Sequence, residues 1–446
     1  DTHLHTTYSP DAGLTGNVKL TPSDAYRFAR GDEVKANNGM IAKLNQPLDF
    51  LVVSDHSEYM GIVPLIRDSD AQLMKNEWGK RWHDMYKAGP EKALEAALEI
   101  VSGSIATGEQ RIKDDKITRT VWDVMTSSAD KYNDPGKFTA FIGYEWTTMP
   151  DGFNLHRVVI FKGGADEAGQ VVPFSAFDSE DPEDLWAYLE GYEEKTKGRV
   201  MALAHNGNVS NGLMFSDQDF KGKPLTPAYA KMRSRWEPLY EVTQMKGDGE
   251  AHPFLSPDDE FSDYETWDKG NLDGTSAKKD SMLEFEYARS ALKLGLKHVA
   301  SLGVNPFKFG LIGSTDAHTA LATSEENNQW GKITSKEPNN HRAETPIIPS
   351  KTPGLTTWGF EQVASGYAAV WAKENTRKAL FEAMQRRETY ATTGPRMTVR
   401  FFGGWDYSDD DVHRPNFADI GYTKGVPMGG DLRRNNEGDA PGFLIR

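Results

Sequence analysis

Six short apolar runs, each closing on polar residues, constrain the fold of this chain more than any other feature. They span residues 47–56 (PLDFLVVSDH), 138–146 (FTAFIGYEW), 154–163 (NLHRVVIFKG), 199–208 (RVMALAHNGN), 239–247 (LYEVTQMKG) and 309–318 (FGLIGSTDAH). Their bodies are continuous Val, Ile, Leu and Phe rather than an alternation, the pattern of strands covered on both faces. Helical periodicity lies between them. Thr21-Pro22 opens one helix, residues 91–102, 118–131 and 281–296 form others, and residues 375–388 form an amphipathic helix capped by Asn375 or Thr376. Strand–helix alternation predicts an α/β, barrel-like fold with a mostly parallel sheet. In such barrels the active site assembles at the C-terminal ends of the strands, where the polar residues of these runs fall.

Three stretches read as insertions: residues 57–137, mainly helical and charged; 248–280, acidic and aromatic; and 322–358, with little periodicity. Lids or substrate walls and plain decoration fit them equally. Residues 1–396 form the expected barrel. From residue 397 helices are expected to stop, and 397–446 reads as the start of a β-rich region that the chain does not complete.

The formal charge is −15 with no Lys/Arg block, which argues against nucleic acid as a partner. No apolar run approaches the ~20 residues a transmembrane helix needs. The absence of cysteine removes disulfides, thiolate metal sites and Cys nucleophiles together, so any metal rests on His and carboxylate. Residue 1 already stands inside a motif, so a removed leader is expected, and with it a periplasmic or secreted location. A cytoplasmic one stays open, as does the oligomeric state.

His3 and His5 alternate along one extended segment, so both imidazoles face the same side. Asp316 and His318 repeat that spacing. Asp11 sits in a Pro/Gly turn, His56 and Glu145 end apolar runs, His156 lies in a strand-like segment, and His205 ends another run. A lone histidine is ordinarily structural, and an Asp in such a turn is ordinarily a turn former. Here six of eleven histidines join three carboxylates in the same strand contexts. Such nitrogen and oxygen sets suit Mn, Zn or Fe. The remaining histidines, 83, 252, 298, 341 and 413, fall in loops or on helices and read as non-ligands. Arg396, Lys246, Asn206 and Asn208 are the candidates for binding an anionic ester substrate. Arg157 should point away by strand alternation.

HLH with TTYSPDAG, then SDH, GYEW, NLHRV, ALAH and GSTDAH, resembles the ordered motif set of the PHP (polymerase and histidinol phosphatase) superfamily. With YATTGPR at 390–396 the match is similar to the DUF3604 branch of it. The resemblance implies a distorted (β/α)7, TIM-like barrel and two or three divalent ions. His3, His5, Glu145 and Asp316 are implied to hold one ion, with Glu145 bridging to a second on His156 and His205, and Asp11, His56 and His318 holding a third. Pro10 sets Asp11 one residue further from the histidine pair than the commoner Tyr-Ser-Asp spacing. The implied activity is phosphoesterase-type hydrolysis of phosphomonoesters, phosphodiesters or phosphonate esters. The attack expected is in-line, by a metal-bridging hydroxide, with Asp316 orienting the water or acting as base and His205 or His318 serving the leaving group. Two other readings stand beside it: an amidohydrolase-like C–N or C–O hydrolase, and a non-catalytic, metal-dependent carbohydrate- or partner-binding protein.

Overall fold

The apolar runs become the strands of one sheet. A computed structural model describes residues 1–446 apart from 363–364, 436–437 and 439, with the backbone alone for Pro90 and Ser102. Strands β1 (Phe50–Val53), β2 (Thr139–Trp146), β3 (Arg157–Phe161), β4 (Val200–His205), β5 (Leu239–Gln244), the two-residue β6 (Gly247–Asp248) and β7 (Gly310–Gly313) form it. The order is β1-β2-β3-β4-β5-β6, with β7 also paired to β5, and the sheet curls into a half-barrel. β1–β2, β4–β5 and β5–β7 are parallel, whereas β3 is antiparallel to both β2 and β4. A mostly parallel sheet was expected, but among the described residues three of its six pairings are antiparallel, two of β3 and that of β6 with β5, and β3 departs for a physical reason. Only residues 147–156 separate β2 from β3, too few for the helical crossover that a parallel neighbour needs.

Strand alternation sorts the side chains onto two faces. Phe50, Val52, Phe141, Val158, Ile160, Met201, Leu203, Leu239 and Ile312 share the concave cluster. Leu51, Val53, Ile142, Tyr144, Val159, Ala202 and Tyr240 join the outer cluster. The outer layer is built by helices α1 (Pro22–Ala29), α2 (Asp115–Tyr132), α3 (Pro182–Thr196), α4 (Pro227–Trp236) and α5 (Ala288–Leu302). Thr21 starts α1 through a capping box with Asp24, as its Thr-Pro pair predicts. α6 (Arg377–Gln385), capped by Thr376, packs Leu380, Phe381 and Met384 into the concave cluster.

The sheet itself does not close. The extended segment 1–5 lies between its edges: Val52 N donates to Asp1 O and Ser54 N to Leu4 O on one side. On the other, Asp316 N donates to His3 O and His5 N to Ala317 O.

Other departures are local. The helix expected over 281–296 is two, Asp280–Leu283 and α5. Between them Glu286 turns inward to accept from Lys278 Nζ and Gly212 N, and Tyr287 is extended. The 57–137 insertion is helical, as expected, and the helix over 91–102 ends at Ile100 in a π turn over Val101–Ile105. An antiparallel pair of β8 (Tyr367–Val370) and β9 (Thr389–Thr392), joined through α6, follows the 322–358 excursion. Beyond residue 397, β10 (Phe401–Gly404) pairs with β11 (Gly425–Pro427) and β12 (Gly442–Ile445). Helices do not stop there: α7 (Phe417–Lys424) packs Phe417 on Phe402. No helix among the described residues is long and apolar enough to cross a membrane.

Candidate metal centre

The concave rows of the sheet end in candidate ligands. Phe141 and Glu145 lie on one face of β2 and Met201, Leu203 and His205 on one face of β4, whereas Asp316 lies three residues past β7 in a left-handed backbone conformation. His156 precedes β3 instead of ending it. Because β3 runs backwards, its start lies at the rim where the other strands finish, so the reversal brings His156 to the site. His3 and His5 arrive from the N-terminal segment, His56 from just past β1, and His318 from just past β7.

Nine expected ligands converge. His3 Nε2 and His5 Nε2 are 3.0 Å apart, each within 3.5 Å of Glu145 Oε2 and Asp316 Oδ1. Glu145 Oε1 is 2.9 Å from His156 Nδ1 and 2.8 Å from His205 Nε2. Its other oxygen lies 2.8 Å from His56 Nδ1. Asp11 Oδ2 is 2.6 Å from His318 Nε2 and 3.3 Å from His56 Nε2. Pro10 opens the short helix Pro10–Leu14, and Asp11 reaches both histidines from its first turn despite the altered spacing. Among the described residues, four groups have ligand atoms close enough to share an ion: His3/His5/Asp316, Glu145/His156/His205, His5/His56/His318 and His3/His205/Glu241.

Burial makes this arrangement costly without a counter-charge. Burial would push Glu145 up, yet the imidazoles of His56, His3, His205 and His156 hold it well below the usual carboxylate range. Burial also pushes His3 down, but Asp316, Glu241 and Glu145 outweigh it and lift the imidazole to about 10. His5 moves the opposite way, driven well below its ordinary value by burial and by His318 and His56.

The residue model of the family described as Protein of unknown function (DUF3604) matches residues 1–446. The chain belongs to the DUF3604 family. No curated protein and no solved structure matches it.

Around the ligands of this DUF3604 chain stands a second set that the motifs alone do not single out. Glu241 presents both carboxylate oxygens to His3 Nδ1 at 3.1 Å. Its signal was available, since Glu241 lies on the concave face of LYEVTQ. Ser9 Oγ is 2.7 Å from His5 Nδ1 and donates to Asp55, which also accepts from Thr6 N and Oγ1. Thr147 Oγ1 is 2.6 Å from His56 Nδ1. Gln244 donates to Asp316 Oδ2 and Asn206 Oδ1. Lys332, from the 322–358 excursion, donates to Asp316 O and contacts Oδ1. Burial pushes Lys332 down to about 7 against the pull of Asp316. No local pattern marks Lys332.

The expected substrate residues divide. Lys246 reaches the cluster, with Nζ on Asp316 Oδ2. Asn206 and Asn208 are buried scaffold. Asn206, in a left-handed conformation, receives Gln244, and Asn208 donates to Lys246 O and Trp267 O. Arg396 is not brought to the site. Its guanidinium donates to Gln46 O and Pro47 O, ahead of β1 and therefore at the opposite end of that strand from His56. Arg157 is buried on the outer side against Glu237, as alternation requires. His252 pairs with Asp268, His298 with Asp217, and His83 with Ser69 and Asp84.

Proposed function

We propose that this protein is a metal-dependent phosphoesterase of the PHP type. Glu145 carries the reading: its buried carboxylate is wedged among the imidazoles of His3, His5, His56, His156 and His205, and several polar atoms of this cluster lack hydrogen-bond partners. Glu145 Oε2, His205 Nε2 and His156 Nε2 are all buried and without a hydrogen bond, although His205 Nε2 is only 2.8 Å from Glu145 Oε1. Lone pairs aimed at common points, rather than at one another, are what a ligand cage requires.

The residues fit divalent ions of the Mn, Zn or Fe class. His3, His5, Glu145 and Asp316 would hold one, Glu145, His156 and His205 a second, and Asp11, His56 and His318 a third. Such ions supply Lewis-acid polarisation of a phosphoryl oxygen and an acidified water. The chain's own contribution is orientation. Glu241, Ser9 and Thr147 fix the rings of His3, His5 and His56. Gln244, Lys246 and Lys332 fix Asp316. Burial would raise Asp316, but Lys246, Lys332 and His3 hold it well below the usual range. A carboxylate so held is a weak proton acceptor, so Asp316 acts here as ligand and orienter rather than base.

Asp11 has a side chain 37 % exposed, against 11 % or less for the histidines and carboxylates it faces. Substrate entry and leaving-group exit are assigned to that side, where His318 is at hand and His205 is enclosed. The segment 1–5, hydrogen-bonded to both sheet edges, is read as closing a distorted seven-membered barrel. Two buried lysines beside the ligands favour phosphorus esters over the neutral carbonyl of an amide or acyl ester.

The test is turnover by protein loaded with Mn²⁺ or Zn²⁺ on p-nitrophenyl phosphate, bis-p-nitrophenyl phosphate, a phenylphosphonate ester and an acyl ester. Hydrolysis of a phosphorus ester, abolished in His3→Ala and Asp316→Ala, is expected. Turnover of the acyl ester alone would overturn the proposal.

A further inference from the structure

Lys246 and Lys332 reach the same carboxylate from unrelated parts of the chain. Lys246 stands just beyond β5, and Lys332 belongs to the excursion after β7. Both are buried, at 7 % and 6 % exposure. Lys246 Nζ meets Asp316 Oδ2, and Lys332 Nζ meets Oδ1 and the backbone carbonyl of the same residue. Neither is a loose surface side chain that has swung inward. Lys332 N donates to Glu337 Oε2 at 2.7 Å and its carbonyl accepts from His318 N at 2.9 Å. The Lys246 carbonyl accepts from Asn208 Nδ2 at 3.0 Å.

One carboxylate does not satisfy this pair. Each ammonium carries three N–H donors, and Asp316 is the sole acceptor of Lys246 Nζ among the described residues. Two buried lysines converge on a single carboxylate that the ligand cluster also requires. Unfilled ammonium donors beside a ligand cage describe a place for an anionic oxygen.

We infer that Lys246 and Lys332 form an anion subsite that takes the free phosphoryl oxygens of a phosphate monoester and sets a preference for monoesters over diesters. The inference rests on the phosphoesterase reading and narrows it. A monoester brings two anionic charges and three unsubstituted oxygens. A diester brings one charge and replaces one of those oxygens by a substituted one, a poor acceptor for an ammonium and bulky in a buried corner.

Two measurements on metal-loaded protein decide it. The first compares kcat/KM for p-nitrophenyl phosphate and bis-p-nitrophenyl phosphate in wild type, Lys246→Met and Lys332→Met. Because both lysines also hold Asp316, each variant is expected to lose activity on both esters, with the loss on the monoester greater by about tenfold or more than that on the diester. Equal losses on both substrates would mark the lysines as structural and overturn the subsite. The second follows binding of inorganic phosphate and dimethyl phosphate by calorimetry, which needs no turnover. Phosphate is expected to bind wild type at least about tenfold more tightly than either variant, with dimethyl phosphate little changed. Unchanged phosphate affinity overturns the subsite even if esters are hydrolysed. Phosphate binding that depends on the lysines, in a protein that hydrolyses no phosphorus ester, upholds the subsite and sinks only the parent reading. If a Met variant does not fold, Lys246→Gln or Lys332→Gln carries the same expectations.

Discussion

His3 shows how far a neighbourhood moves a single side chain. Its Nδ1 is covered by Glu241 and its Nε2 faces His5, Glu145 and Asp316, so three carboxylates lift it to about 10 against burial. A ligand must be deprotonated at its binding nitrogen, so metal uptake at neutral pH has to expel this proton. Calorimetric titration of the metal-free protein should therefore release at least one proton per chain near pH 7, read from the dependence of the heat on buffer ionisation. Because the raised value makes protonation the competitor, metal affinity should rise with pH; a flat profile from pH 6 to 8 would contradict this. Glu241 fixes the orientation of the same ring. Glu241→Gln should weaken metal binding about 10- to 100-fold in competition with a chromophoric chelator, and unchanged affinity would deny it that role.

Among the elements, β3 matters most, since its reversal carries His156 to the ligand rim and turns Arg157 outward. There Arg157 Nε donates to Glu237 Oε1, which also accepts from Trp186 Nε1, while Arg233 Nε lies 3.3 Å from Glu237 Oε2. β3, α3 and α4 are joined through this one carboxylate, which sits at the C-terminal end of α4. Glu237→Gln leaves two guanidinium groups buried with less compensation, and a loss of about 3–5 kcal/mol in urea unfolding is expected. Burial pushes Glu237 up, but Arg157 and Arg233 hold it below its ordinary value of 4.5. The folded-state value is thus depressed, so this contribution is complete above pH 4.5 and is lost as pH falls through the folded-state value. The variant should lose that part of the acid dependence, and acid profiles of equal steepness in both proteins would refute it.

For the whole molecule, the gap in the sheet is spanned by segment 1–5, and the same segment carries two of the proposed ligands, His3 and His5. Ions bound to His3, His5 and Asp316 would tie that segment to the chain beyond β7, adding to the backbone bonds at His3 and His5. Chelation should therefore lower the thermal midpoint, and free metal at 100 times its dissociation constant should restore about 2.7 kcal/mol. Hydrogen exchange should quicken first at residues 1–5 and 314–320 on metal removal. Uniform quickening across the sheet would show that the ions do not secure this seam.

By itself the sequence determined the strands, because continuous apolar runs have few other uses, and the inward placing of Glu145 and His205, because period-two alternation carries them to the concave face at their strand ends. Glu241 was legible by that same rule. Helix α1 was legible from Thr21-Pro22, since a cap is a contact between near neighbours in the chain. The break before α5 was not, for it depends on Glu286 meeting Lys278 and Gly212. Only the tertiary structure could place Lys332 against Asp316, send Arg396 to the far end of β1, and run β3 backwards so that a histidine at a strand's start joins residues at strand ends. Local periodicity specifies which face a side chain takes; which distant segments share that face is fixed by the path of the chain, and charge meets charge only there.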